Sequence, residues 1–222
     1  MKTIKLFAVA ALLSATTVAF GQKTKITKGT FSELKDQKEV NLVFEYSDLE
    51  CVGGAPFSKK PKPEAEWLEE IKTKKNEKEA GTGDDWVKRW NTAKTDAFEP
   101  NFEIKISEVW KGALVKRGLD NAKYTLVVHI LYTDPGYSIP GVSSADAYLS
   151  AGIDVVETGS DNVISSLTME RIKGASAGKY IPGIGGAIAG AIDSATFEKR
   201  LGESYEKMAR SFYGKVLKKA FK

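Results

Sequence analysis

The sequence predicts a single α+β domain behind an export signal. The expected architecture is a mostly antiparallel sheet of about four strands, one N-terminal and three after a helical region, covered by helices and closed by a long C-terminal amphipathic helix. Three observations predict it. Apolar residues fall on alternate positions in residues 40–49, 124–133, 147–157 and 163–173, the period of a strand. They recur at three- and four-residue steps in residues 63–79 and 100–118, and again at Phe197, Leu201, Tyr205, Met208, Phe212 and Val216, the period of an amphipathic helix. Finally, three of the four strand-like runs follow one another without an intervening helix, the order of an α+β chain rather than an alternating one.

The first element is a leader. Lys2 and Lys5 precede a stretch free of charge from Leu6 to Gln22, and the run ends in Ala19-Phe20-Gly21. A positive start, a short apolar core and small residues at the minus-three and minus-one positions make a secretory signal peptide over residues 1–21, with cleavage after Gly21. A membrane anchor needs ~20 strongly apolar residues, and this core is diluted by Ser14, Thr16 and Thr17. A lipid anchor needs a Cys directly after the cut, and the one cysteine is Cys51. The exported chain is therefore expected free of both, periplasmic or outer-membrane associated, or extracellular. A lone cysteine makes no internal disulfide, so stability must come from an ordinary apolar core. Cys51 reads as a small half-buried thiol, with a bridge between two copies as the alternative.

Residues 22–38, rich in Lys, Thr and Gly, read as a flexible N-terminal arm, and residues 39–222 as the domain itself. In 40–49, Val40, Leu42, Phe44 and Tyr46 share one face of the first strand. Gly53, Gly54, Pro56, Pro61 and Pro63 make an irregular link. The helix over 63–79 has Pro63 in its first turn, Glu64 and Glu66 early and lysines late, which suits the helix dipole. Asp84 or Asp85 caps a second, short helix, in which Trp86 and Trp90 lie four apart on one face. That spacing favours core packing over an open sugar-stacking platform. A third helix is expected from Pro100 to Gly118, stopped by Lys116, Arg117 and Gly118. Residues 124–133 are apolar on both faces and read as a central strand, ended by Asp134-Pro135-Gly136. Gly159-Ser160-Asp161-Asn162 joins the last two strands as a hairpin.

The Gly-rich segment 174–192 is the least regular part. Gly174/Gly178 and Gly186/Gly190 have small-xxx-small spacing, but Pro182 interrupts the run. Its uncharged part, 180–192, is thirteen residues long, short of the ~20 that span a bilayer. It reads as a mobile loop entering the last helix, whose Tyr180 and four isoleucines make it the expected contact surface for a protein or envelope component. No transmembrane helix is expected in the exported chain.

Composition bears on function. Losing Lys2 and Lys5 with the leader lowers the formal charge from +4 to +2, and Lys alternates with Glu, so no nucleic-acid partner is expected. The one histidine, His129, sits mid-strand between Val and Leu without an accompanying nucleophile, so a packing role outweighs a catalytic one. One His and one Cys exclude a Cys/His structural zinc site. Asp84 with Asp85, and Glu69 with Glu70, are adjacent acids on charged helix surfaces and do not face each other. Asp134 and Asp154 lack the run of oxygen ligands of a calcium loop. Catalytic, cofactor-binding and metal-binding residues are thus all expected to be none.

Val43-Phe44-Glu45-Tyr46, the run from Ala122 to Val128, Gly152-Ile153-Asp154-Val155-Val156 and Gly174-Ala175-Ser176 resemble the strand motifs of a family of exported Bacteroidetes proteins of unknown function. The layout is more distantly similar to small α+β envelope domains of auxiliary lipoproteins and curli-type assembly factors, minus the lipid-acceptor Cys. The resemblance implies a non-enzymatic envelope binding or assembly module. The competing expectation is a hydrolase with an atypical carboxylate site.

Overall fold

The computed structural model describes residues 22–53, 60–139, 143–174 and 196–222. An eight-stranded mixed sheet, not a four-stranded antiparallel one, carries helices on one face. In chain order, β1 is Lys23–Lys28, β2 Glu39–Glu45, β3 Glu50–Cys51 and β4 Lys62–Pro63. Helices α1 (Glu64–Asn76), α2 (Thr82–Ala93) and α3 (Glu99–Val109) follow. Then come β5 (Leu114–Lys116), β6 (Tyr124–Asp134), β7 (Tyr137–Ile139), β8 (Ser143–Ala145), β9 (Tyr148–Glu157) and β10 (Val163–Lys173). Helix α4 (Phe197–Phe212) continues through a π turn at Tyr213–Leu217 into a last turn, Lys218–Ala220.

The sheet order is β1-β10-β9-β6-β2-β5, with β3 bonded to β6 and β4, while β7 and β8 form a separate ribbon. The β1–β10, β10–β9 and β9–β6 pairs are antiparallel. The β2–β6, β2–β5 and β3–β6 pairs are parallel. A parallel neighbour requires a crossover connection, and α1 to α3 supply it between β2 and β6. The expected count fails because β3 and β4 are two residues long and β5 three, too short to show any period. What held is the α+β character, the hairpin of β9 and β10, and the central place of β6 between β2 and β9.

Residues 22–38 are no loose arm. Lys23–Lys28 pairs with the edge of β10, and Phe31 and Leu34 in the following turn are fully buried. Phe31 meets Phe212 edge-on at 5.6 Å, which ties the start of the domain to the end of α4. The first strand ends at Glu45, not at residue 49, because Leu49 turns back to donate to the Tyr46 carbonyl at 3.2 Å.

The helices also depart from their expected bounds. The chain turns at Asn76, whose Oδ1 accepts from the Gly83 N–H at 2.8 Å, so α1 stops short of residue 79. Pro100 does not open a helix. It falls in the first turn of α3, and α2 runs into α3 through a π turn at Lys94–Phe98. Proline lacks an N–H and crowds the carbonyl four residues back, and a wider turn just before it relieves that conflict. The helix then ends at Val109 rather than near Gly118, and Val115 is a buried strand residue opposite Val40. The basic pair and Gly118 that read as a helix stop instead end β5, with Gly118 in the left-handed region at φ 77°.

The core lies between the helices and one face of the sheet. Leu126, Val128 and Ile130 of β6, Ile153 and Val155 of β9, and Leu167 and Met169 of β10 face it. Trp67 and Trp90 are 1% exposed, and their rings lie 4.8 Å apart. Trp86 stacks on Trp90 and tilts against Phe197, so the tryptophans pack the core as expected. Among the described residues the opposite face of the sheet carries no helix, and there Val127, His129 and Leu131 are only half-buried. The Gly-rich segment, beyond Gly174, lies outside the described residues, as do residues 1–21. Among the described residues no helix is long and apolar enough to cross a membrane.

Candidate functional site

His129 sits on the helix-free face, in register with Glu45 of β2 and beside Asp154 of β9. Its Nδ1 lies 3.0 Å from Glu45 Oε2 and its Nε2 3.3 Å from Asp154 Oδ2. Two acceptors on opposite ring nitrogens select the doubly protonated imidazolium. The hydrogen bond to Asp154 is the main cause that raises the His129 pKa above its ordinary 6.5, against partial burial. Burial pushes Asp154 the other way, yet hydrogen bonds from His129 and Ser166 and the nearby charge of Lys28 leave it below its ordinary 3.8. Ser166 bonds to Asp154. The carboxylates flank the ring and do not converge on one ion, and no metal-holding cluster occurs among the described residues.

Glu70, Asp84, Glu64 and Glu99 are held by structural partners. Glu70 pairs with Lys74 at 2.6 Å and with Lys62 at 3.3 Å, and these bonds lower its pKa. Asp84 accepts from Asn76 at 2.9 Å and from Lys72 at 3.0 Å, which lowers its pKa too. A general acid needs the reverse shift. Under the helices, Glu64 accepts from Trp90 Nε1 at 2.6 Å and Lys94 at 2.7 Å. Glu99 accepts from Tyr46 at 3.2 Å and Arg117 at 2.5 Å. Cys51 is fully buried, and burial first, then Glu64, pushes its thiol well above the ordinary range.

A different set of residues forms a groove of about 550 Å³ where the ends of β9 and β10 meet α4. Arg171 and Lys173 come from β10. The β9–β10 register shifts between Met169 and Ile172, so the bulge gives the core position to Ile172 and releases Arg171 to the surface. Arg171 adopts φ 56°, donates its N–H to Ser150 Oγ at 3.1 Å, and holds its guanidinium 5.9 Å from the Tyr148 ring centre. Lys207, Arg210 and Ser211 come from one face of α4, three and four residues apart. Lys207 Nζ donates to the Gly174 carbonyl at 3.1 Å, which fixes the helix against the end of β10.

Gln22 closes the groove. Its Oε1 accepts from Ser211 at 3.1 Å, while its Nε2 is buried without an acceptor among the described residues. Two acids stand at the rim, Asp146 at 2.6 Å from Lys173 and Glu203 at 3.9 Å from Lys207. The lining itself is four cations, an aromatic ring, an amide and a hydroxyl. Such a lining is positively charged. The sequence reading missed this set. The 3–4 spacing of Lys207, Arg210 and Ser211 was visible, but only the bulge and the packing of α4 bring it beside Arg171 and Lys173.

No family model matches the chain, and no curated protein matches it in sequence. Among solved structures, the PelC dodecamer from Paraburkholderia phytofirmans is similar at 12% identity with a TM-score of 0.34, over 82% of this chain and 97% of that one. A variant of that dodecamer aligns at 10% identity and a TM-score of 0.34, over 84% and 99%. A Xanthomonas campestris protein of the DUF330 family aligns at 12% identity and a TM-score of 0.31, over 78% and 81%. TM-scores below 0.5 do not establish a shared fold.

Proposed function

We propose that this chain is an exported, non-enzymatic binding module of the cell envelope that acts through the cationic groove between β10 and α4. The observation that carries the proposal is the make-up of that groove: Arg171, Lys173, Lys207 and Arg210 line it, and no His, Cys, Asp or Glu does. The geometry at His129 supports it, since both ring nitrogens are taken up by carboxylates, those of Glu45 and Asp154. The leader-like start, Lys2 to Gly21, supports export. A photo-crosslinking side chain at Lys199, on α4 in the cleft that shares Lys207 and Arg210 with the groove, tests the proposal in intact cells. A discrete adduct in the envelope fraction, absent when the probe stands at Lys78 instead, is the expected result. Equal labelling from both positions sinks it.

A further inference from the structure

We infer that the outer edge of β1 is a strand-addition site, which takes an extended acidic segment of another protein and lays its alternate side chains in a groove between β1 and the C-terminal turns. This surface is separate from the β10–α4 groove, which meets the same stretch of chain at Gln22. The first observation is the edge itself. β1 stands at the end of the sheet order and pairs with β10 alone, so along Lys23–Lys28 its outer side has no sheet partner among the described residues. Such an edge is a template for a further strand. At the other end of the sheet, β5 is only three residues long. The second observation is what lies beside the edge. Thr24, Ile26, Lys215, Val216 and Lys219 line a groove of about 480 Å³ between β1 and the turns that follow α4. Lys25 stands in one row with Thr168, Gly152 and His129, so it falls on the helix-free face while Thr24 and Ile26 line the groove. Val216 is buried at 3% exposure, whereas Ile26 is 47% exposed. A strand added beyond β1 covers Ile26 with every second side chain and sets the others beside Lys25.

Charge sets the chemistry of the partner. Residues 22–32 and 207–222, which bound the groove, contain no Asp or Glu. The acids that do face β1 lie toward β10 and β9: Glu170 stands opposite Lys23, and Asp154 feels the charge of Lys28. Lys28 also donates to the Val163 carbonyl. The sign of the open side is therefore set by Lys25, whose cross-strand neighbour is Thr168, and by Lys215 and Lys219 across the groove. A second copy of the chain fits this edge poorly. Two β1 strands joined antiparallel and edge to edge place lysines beside lysines on one face, and like charges directly opposite destabilise a pair. Lysine on an open edge guards against such self-pairing and leaves the edge free for a strand of opposite charge. A nucleic-acid strand needs aromatic faces on which to stack its bases, and the lining of the groove has none.

The test titrates the purified protein with the peptide acetyl-Glu-Val-Glu-Val-Glu-Val-Glu-amide, whose valines suit the groove and whose glutamates suit Lys25, and follows binding by calorimetry and hydrogen exchange. One peptide should bind per chain, more weakly as salt rises, and should slow the fast-exchanging amides of residues 23–28. The same peptide with N-methylated backbone amides keeps its charge but loses its donors, so it should bind at least about tenfold more weakly. A peptide with Lys in place of Glu should be weakened as much. Charge reversal in the protein, Lys25→Glu/Lys219→Glu, should cost the glutamate peptide at least about tenfold in affinity and let the lysine peptide bind. Should that pair fail to fold, Lys215→Glu/Lys219→Glu serves in its place, and Lys78→Glu should change neither. The inference is overturned if the glutamate peptide does not saturate the protein up to about 10 mM, or if the N-methylated peptide binds as tightly, since the contact is then charge alone. Protection that falls only outside residues 23–28, or folded reversed variants that bind the glutamate peptide normally, overturn it too. So does slow exchange throughout residues 23–28 before any peptide is added: in a dimer on sedimentation the edge belongs to a second copy, and in a monomer to another part of the same chain.

Discussion

At His129 one imidazole bridges carboxylates from two other strands, and the arrangement has a pH signature. A raised His pKa stabilises the fold fully below 6.5, and that contribution is lost as pH rises through the folded value. The lowered Asp154 pKa contributes above 3.8 and is lost as pH falls through its own folded value. The two overlap between 3.8 and 6.5, so the difference in melting temperature between wild type and His129→Gln should be greatest there and shrink at higher pH. A difference that stays flat, or grows as pH rises, contradicts the bridge. Cys51 gives a second prediction at this scale. Burial and a raised pKa keep its thiol protonated and out of reach. Ellman's reagent should leave it unmodified in the native protein and react with it promptly in denaturant, and rapid native labelling would refute this. The sequence placed His129 on a strand and set aside catalysis, but it could not show the carboxylates. Glu45 and Asp154 reach the ring only through a parallel register with β2 and an antiparallel one with β9, and neither is written in the local pattern.

Among the elements, the α1–α2 corner depends on one close approach. A Cβ on Gly83 would stand 2.2 Å from the Lys72 carbonyl oxygen, a backbone atom that cannot move aside. Helix propensity favours Ala over Gly by about 1 kcal/mol, and here the clash outweighs that gain. Gly83→Ala should therefore destabilise, by roughly 1–3 kcal/mol, as overpacking does. Gly214, in the π turn after α4, has nothing within 4 Å of where its Cβ would stand. There Gly214→Ala should stabilise by about 0.5–1 kcal/mol. Urea unfolding of the two variants checks both signs, and a stabilised Gly83→Ala would show that the helices are not in contact. Periodicity revealed the elements that are long and amphipathic, such as α4, β6 and the β9–β10 hairpin. It misjudged α3 because Ala113 and Val115 continue an apolar rhythm that a helix and a short buried strand share. Pro100 misled for a related reason, since a proline in the first turn marks a helix start only when no π turn precedes it.

For the whole molecule, β1 makes the proposed export boundary testable. The first strand residue is Lys23, and the preceding Gln22 is held by Ser211, so the proposed cut after Gly21 falls just before the described domain. Sequencing of the mature N-terminus should read Gln22 first, and retention of Lys2 and Lys5 would refute export by this signal. The overall layering was readable from element order, while the mixed sheet was not, because strand direction is fixed by distant pairing and not by alternation. That distant pairing also sets a timetable. Lys23 bonds opposite Glu170, and Glu39 opposite Leu114, so the first strands made wait for partners far along the chain. Closing such long loops before any reward slows folding to milliseconds or longer, which stopped-flow refolding would measure. On the export proposed above, this lateness would keep the two ends of the sheet apart until residues near Glu170 had crossed the membrane.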